Sequence, residues 1–294
     1  TMASQVKRGV VDFIGAARPS IADPFLPRKI DEGRLSDIRE CIGCNICYTG
    51  DGLGVPIRCT QNPTMGEEWR RGWHPEFIAK KGSESSVLVV GAGPAGLEAT
   101  RALGQRGYRV TLAEATRELG GRVTRESKLP GLSEWLRVRD YRLQQIDVMP
   151  NVEVFRESEL SVDEVLAVEA DHIVFATGAT WRADGFGRSH LHPLTTLSSG
   201  ARILTPDDIM AGHLPDGPTV IFDDDSFYMG GVIAEQVRCA NVPVSVVTPE
   251  NVVSAWCEYT SEQYQVQKHL LELGVEIKTA HSLLAYDGRE VTIS

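Results

Sequence analysis

The chain has 294 residues, with 30 Lys and Arg against 40 Asp and Glu, giving a net charge of −10. That balance excludes the basic footprint of a duplex-binding protein. No apolar run approaches the ~18 residues a membrane span needs. Hydrophobic residues at 42% and charged residues at 24% exclude wholesale disorder, and the length suggests two domains with an added module. No apolar signal-like stretch opens the sequence, so a cytoplasmic location is expected, without nucleic-acid or membrane partners.

In chain order, residues 9–16 (Gly-Val-Val-Asp-Phe-Ile-Gly-Ala) read as one buried parallel strand. Residues 21–82 read as loop, broken by Pro24, Pro27, Pro56 and Pro63. Four of the six cysteines fall within this stretch: Cys41, Cys44 and Cys47 at C-x₂-C-x₂-C spacing, then Cys59 after eleven residues. In a cytoplasmic protein this spacing points to a metal rather than to disulfides. Three thiolates on one tight loop can cap three corners of an iron–sulfur cube, and a distant fourth closes it, so a [4Fe-4S] group is expected on Cys41, Cys44, Cys47 and Cys59. Gly43 lets the loop backbone pass close to the sulfides. A structural zinc more often uses two C-x₂-C pairs, and the second is missing here, but zinc and unligated thiols stay open as alternatives. Cys239 and Cys257 stand apart and read as small buried hydrophobes.

From residue 86 the texture becomes βαβ. Ser86–Val90 reads as a buried strand, and Gly91-Ala-Gly93-Pro94-Ala95-Gly96 as a glycine turn. A helix follows through Leu97–Arg106 and stops at Gly107, then a strand over Tyr108–Ala113 leads to Glu114. A helix is expected near Leu132–Ile146, a strand at Asn151–Phe155, and a capping box at Ser161–Glu164. A strand at Asp171–Ala176 ends in Thr177-Gly178. A weaker repeat follows. Thr205 caps a helix into Ile209-Met210; Pro218–Phe222 reads as a strand, Gly231–Ala240 as a helix and Val242–Val247 as a strand. Thr260–Gln263 reads as a second capping box, opening a helix to Leu273 that Gly274 ends. Asp287-Gly288 reads as a hairpin turn between two final strands.

The glycine turn sits between strand and helix, with an acid 23 positions beyond Gly91. In that context the motif predicts a dinucleotide site. Gly91 makes the turn, Gly93 admits the pyrophosphate, Gly96 packs helix on strand, and the helix N-terminus faces the phosphates. Glu114 would accept from the adenosine ribose. Gly120-Gly121-Arg122 could bring a second backbone turn and a guanidinium to the same nucleotide. Pro94, Ala95, Thr177 and Gly178 complete the expected ADP or FAD contacts. In the second half the corresponding turn reads Asp223-Asp-Asp225-Ser-Phe-Tyr-Met229. Three carboxylates would repel a pyrophosphate, and Phe227 and Tyr228 would block the backbone. The run is expected to be a solvated loop that holds no NAD(P)H.

Together these pieces resemble the iron–sulfur flavoprotein family of trimethylamine, dimethylamine and histamine dehydrogenases, relatives of 2,4-dienoyl-CoA reductase. The matching stretches are Asp12–Pro24, the Cys41–Cys59 cluster with Thr60-Gln-Asn-Pro63, Arg70–Pro75, Gly91–Gly96 and Leu129–Trp135. The resemblance implies an α/β chain: the last strand of an FMN-carrying (β/α)₈ barrel and its phosphate loop (1–30), the cluster segment (31–82), an ADP/FAD-binding Rossmann-like domain (83–198), and a second nucleotide-fold domain, degenerate and truncated (199–294). It implies that Gly15, Ala17 and Arg18 meet the FMN phosphate, and that the barrel of ~250 residues with its catalytic base lies outside this chain. No catalytic residue is then expected here, and the isolated chain would have no turnover. The amine dehydrogenase branch implies oxidation of a small amine, electrons leaving through the cluster to an electron-transferring flavoprotein, ADP in place of FAD, and a homodimer as the full-length protein. The reductase branch, fed by NADPH, would show an intact glycine turn near Asp224. A zinc-stapled nucleotide-binding scaffold is the non-enzymatic alternative.

Overall fold

The computed structural model describes residues 2–67, 69, 78–198 and 200–294; the Arg70–Pro75 stretch lies outside the described residues. Four strands, β1 (Ser86–Val90), β2 (Arg109–Ala113), β3 (Val152–Phe155) and β4 (His172–Phe175), form a parallel sheet in the order β3-β2-β1-β4. Val87, Leu88 and Val89 of central β1 are all but fully buried, as the unbroken apolar run requires. The helix between β1 and β2 spans Pro94–Arg106, with Pro94 in its first turn and Gly107 closing it at φ 91°. Only a residue free of the Cβ penalty takes that left-handed stop cheaply. The Ser161 capping box forms as expected, worth about 1 kcal/mol.

A second parallel sheet, β5 (Thr219–Phe222), β6 (Val244–Val247) and β7 (Glu276–Lys278), runs in the order β5-β6-β7. Its helices span Met229–Cys239 and Gln263–Glu272. Leu129 and Leu132, from the stretch after the glycine motif, lie in the same apolar cluster as Ile233, Val237, Val246 and Leu270, so the two sheets share packed surface. The expected hairpin is present: β8 (Leu283–Tyr286) pairs antiparallel with β9 (Val291–Ile293).

Three expectations need correction. Residues 9–16 are irregular and mostly exposed, with Phe13 at 92%, because among the described residues no strand lies beside them to satisfy their backbone. Thr260 does not cap the next helix. Its hydroxyl donates to the Cys257 carbonyl, and Glu262 stands at the N-cap with no side-chain bond. Cys239 is exposed, at the end of its helix, whereas Cys257 is buried as expected.

Buried polar groups hold much of the loop segment in place. Lys29 pairs with Asp23 at 2.8 Å, both essentially inaccessible, and the Arg39 backbone N–H donates to the same carboxylate. Asn62 donates to the Ile21 carbonyl, and Gln61 donates to the Glu40 carbonyl while accepting from Arg142. Arg142 also pairs with Glu98 of the Pro94–Arg106 helix at 2.8 Å. The cysteine segment is thereby tied to the first sheet's helices.

Candidate metal and nucleotide sites

Cys41, Cys44, Cys47 and Cys59 line one cavity, together with Arg18, Ile21, Ile42, Asn45, Thr60 and Gln61. The loop is shaped by Gly43 at φ 72° and Asn45 at φ 53°, two residue types that tolerate the left-handed region. A side chain added at Gly43 would meet no protein atom within 4 Å, so within the chain itself the glycine answers to backbone conformation. Ile42 and Cys44 pack against Val123, Trp135 and Val138, which seats the loop on the first sheet's domain.

Each sulfur has a donor close by. The Gly43 N–H reaches Cys41 Sγ at 3.4 Å, and the Gln61 N–H reaches Cys59 Sγ at 3.4 Å. The Tyr48 N–H, which donates to the Asn45 carbonyl at 2.9 Å, lies close enough to Cys47 to pull its thiol down. The Thr60 hydroxyl lies 3.1 Å from Cys44 Sγ. Burial pushes the Cys47 and Cys59 thiols up, against the pull of these N–H groups; a bound cation reverses that balance by deprotonating the thiol outright. No three His, Cys, Asp or Glu side chains among the described residues are arranged to hold a single metal ion. A tetrahedral zinc, with Zn–S of ~2.3 Å, would draw its sulfurs to within ~4 Å of one another. A multi-iron group spreads its thiolate ligands further apart, over the corners of a cube.

Arg18, expected at a flavin phosphate, donates to the Asn45 carboxamide at the rim of this cavity; its neighbours Gly15 and Ala17 are exposed. Asn45 in turn donates to the Thr260 carbonyl at 3.0 Å, which links the cavity loop to the second sheet's domain. Sequence reasoning missed Asn45, and it did not assign roles to Thr60, Gln61 and Asn62. The unbroken polar run directly after Cys59 was the signal available for them.

The glycine turn has the expected form. A Cβ on Gly91 would lie 2.5 Å from the Ala176 carbonyl oxygen and 3.2 Å from Thr177 Cα, and one on Gly96 would overlap the Gly91 carbonyl. Around Gly93 there is open space. Gly121 approaches the same turn, and the Gly120 N–H donates to the Ala92 carbonyl at 2.8 Å. Pro94, Ala95, Thr177 and Gly178 are exposed along its open side. Glu114 is at the end of β2, where its carboxylate accepts from the Ala92 N–H at 2.7 Å and from Thr116. Arg122 donates to the Ala179 carbonyl and lies over the Trp181 ring, 3.7 Å from Asp207.

The acidic turn after β5 is not the solvated loop expected from its charge. Asp223 is 2% exposed, accepts from the Ser226 N–H, and occupies the space a side chain at Gly230 would fill, against the start of the Met229–Cys239 helix. Burial, with Asp225 and Asp224 adding to it, raises its pKa to about 6. Asp224 accepts from the backbone of Arg188 and Ser189. Phe227 and Tyr228 join an edge-to-face series with Trp256 and Trp135, at centroid distances of 4.7 and 4.6 Å respectively. Tyr228 also bonds the buried Glu126 carboxyl, whose pKa burial pushes up. The charges are tolerated because backbone N–H groups and a helix N-terminus face them.

Comparison with known proteins places these features. Residues 85–205 match the family model described as pyridine nucleotide-disulphide oxidoreductase. The structure of histamine dehydrogenase from Rhizobium sp. 4-9 superposes with a TM-score of 0.97 at 54% identity, covering 100% of this chain and 45% of that one. Dimethylamine dehydrogenase of Hyphomicrobium sp. (strain x) is 42% identical over 284 residues, 94% of this chain and 38% of its own length. An NADH oxidase of Thermoanaerobacter brockii is 35% identical over 288 residues, 93% of this chain and 41% of that protein. The chain thus spans less than half the length of these relatives.

Proposed function

This chain belongs to the amine dehydrogenase family of flavoprotein oxidoreductases, and on that premise we propose that it is the electron-transfer portion of an enzyme oxidising a small amine. The observation that carries the reading is the convergence of Cys41, Cys44, Cys47 and Cys59 on one cavity, with the Gly43 and Gln61 N–H groups and the Thr60 hydroxyl beside their sulfurs. These four thiolates would hold a [4Fe-4S] cluster, which supplies one-electron acceptance and release. The chain's own part is to keep the thiolates in place, through Gly43, Asn45 and the Gln61–Arg142–Glu98 series, and to stabilise their charge with N–H and O–H donors.

The open space at Gly93 and the N-terminus of the Pro94–Arg106 helix support binding of an adenine nucleotide's pyrophosphate. Glu114 would receive the ribose on the lone pairs left by Ala92 and Thr116, and ADP in place of FAD follows from the family resemblance. Exposed Arg18, Gly15 and Ala17 would face the phosphate of an FMN carried outside this chain. The acceptor would be an electron-transferring flavoprotein, and the full-length protein a homodimer.

The NADH oxidase relative favours the opposite direction of electron flow as a second reading. Against it stands the acidic turn, where Asp223 fills the helix N-terminus that a dinucleotide would need. Cys47→Ala tests the cluster assignment: we expect loss of the brown absorbance and of stoichiometric iron and sulfide. Full iron and sulfide in that variant would sink the four-thiolate site.

A further inference from the structure

We propose that Thr60 tunes the redox potential of the group held by the four cysteines, through a hydroxyl hydrogen bond to Cys44 Sγ; this rests on the cluster reading above. The hydroxyl lies 3.1 Å from the sulfur, and either atom could donate in the free thiol. Once Cys44 ligates iron its sulfur carries no proton, so Thr60 becomes the donor. Among the described residues the Thr60 hydroxyl makes no other hydrogen bond.

This contact differs in kind from those at the other three sulfurs. Cys41 and Cys59 receive backbone N–H groups from Gly43 and Gln61, and the Tyr48 backbone N–H lies beside Cys47; any residue but proline at those positions supplies them. At Cys44 the donor is a side chain, so the sequence alone decides whether it exists. Hydrogen bonds to the sulfurs are one of the levers that set cluster potential. A donor draws charge from the thiolate and favours the reduced cluster, which carries one more electron, so it raises the potential. The sense suits a group that must accept electrons readily.

Thr60 does this without ligating the metal, and its position is held from both sides. Cys59 precedes it, and Gln61, 1% exposed, follows it with side-chain bonds to the Glu40 carbonyl and to Arg142. A substitution at 60 therefore changes the donor while its anchored neighbours stay in place. Valine has the shape of threonine without the hydroxyl.

The test is an EPR-monitored redox titration of the holoprotein, with iron and sulfide assayed on every sample. For Thr60→Val and Thr60→Ala we expect full cluster content, and at fixed ambient potential a reduced-to-oxidised ratio lower by about threefold to tenfold, a fall of about 30–60 mV at 59 mV per tenfold for one electron. Thr60→Ser keeps the hydroxyl and should titrate within twofold of wild type. In wild type, the Fe–Sγ stretch in resonance Raman should shift in D₂O, and part of that shift should vanish in Thr60→Ala. Fully loaded Val and Ala variants that titrate as wild type would overturn this inference alone. Wild-type protein free of iron and sulfide would overturn the cluster reading and this inference with it. Should neither variant load a cluster, an unshifted wild-type Fe–Sγ stretch in D₂O overturns it, and rescue supports it: Thr60→Ser, which keeps the hydroxyl, loads the cluster and retains the whole wild-type shift.

Discussion

A methyl group on Gly96 would overlap the Gly91 carbonyl, whereas one on Gly93 would meet no atom within 4 Å. The two glycines of one motif therefore answer to different demands. Gly93 has φ −71° and extended ψ, open to any L-residue, so the folded chain itself does not require glycine there. Gly93→Val should abolish nucleotide retention, because its side chain takes the pyrophosphate's space, and should unfold at the same urea midpoint as nucleotide-free wild type. Gly96→Ala should lower stability by about 1–3 kcal/mol or more, the cost of overpacking against backbone. Acid-released nucleotide and urea unfolding, measured on both variants, check the pair; a destabilised Gly93→Val that kept its nucleotide would contradict the assignment. The sequence made the motif legible, but only the contacts separate the glycine that shapes the turn from the one that leaves room.

Among elements, the acidic turn after β5 departs most from its reading in sequence. Three consecutive carboxylates suggest solvent, yet Asp223 is enclosed because the start of the Met229–Cys239 helix, the Ser226 N–H and Gly230 form a niche for it. Its folded pKa of about 6 lies above the ordinary 3.8. The folded state then holds a proton that the unfolded chain has released, so stability contributed by this group is present below pH ~4 and is lost as pH rises to ~6. The magnitude is on the order of 3 kcal/mol at about 1.4 kcal/mol per pH unit. Asp223→Asn keeps the acceptor for Ser226 and removes the titration. Relative to wild type it should gain stability progressively between pH 4 and 6 and hold that gain to pH 8; parallel pH–stability curves for the two proteins would refute this. Other elements were more legible. The strands β1 to β6, the β8–β9 hairpin, the Ser161 capping box, the Thr205 cap and the Gly107 and Gly274 stops follow from local pattern, whereas β7 was not read from sequence. The Thr260 box failed because its hydroxyl found a nearer carbonyl, a competition that local sequence cannot rank. The 9–16 segment failed because an apolar run makes a strand only beside another strand.

For the whole molecule, the arrangement links the parts expected to carry electrons and leaves the second nucleotide position closed. Arg18, Asn45 and Thr260 form a continuous polar link from the segment before the cysteines, across the thiol cavity, to the second sheet's domain. The Gln61, Arg142 and Glu98 contacts tie the same cavity to the helix of the glycine turn. This joining of cavity to both domains was not legible from sequence, since Asn45 and Thr260 are 215 positions apart. Two like charges ~4 Å apart at an effective dielectric of 20 repel by about 4 kcal/mol, so even one poorly screened carboxylate of the acidic turn strongly disfavours a pyrophosphate. Phe227 and Tyr228 add a steric block that salt does not screen. Under the proposed function, electrons enter by amine oxidation and not from a nicotinamide. The measurement that tests this most directly is anaerobic stopped-flow mixing of the complete holoprotein with excess NADPH, NADH or a panel of small amines, followed by rapid-freeze EPR of the cluster. The account predicts cluster reduction by at least one amine and none by NADPH or NADH on the same timescale; rapid reduction by a nicotinamide with no response to amines would contradict it.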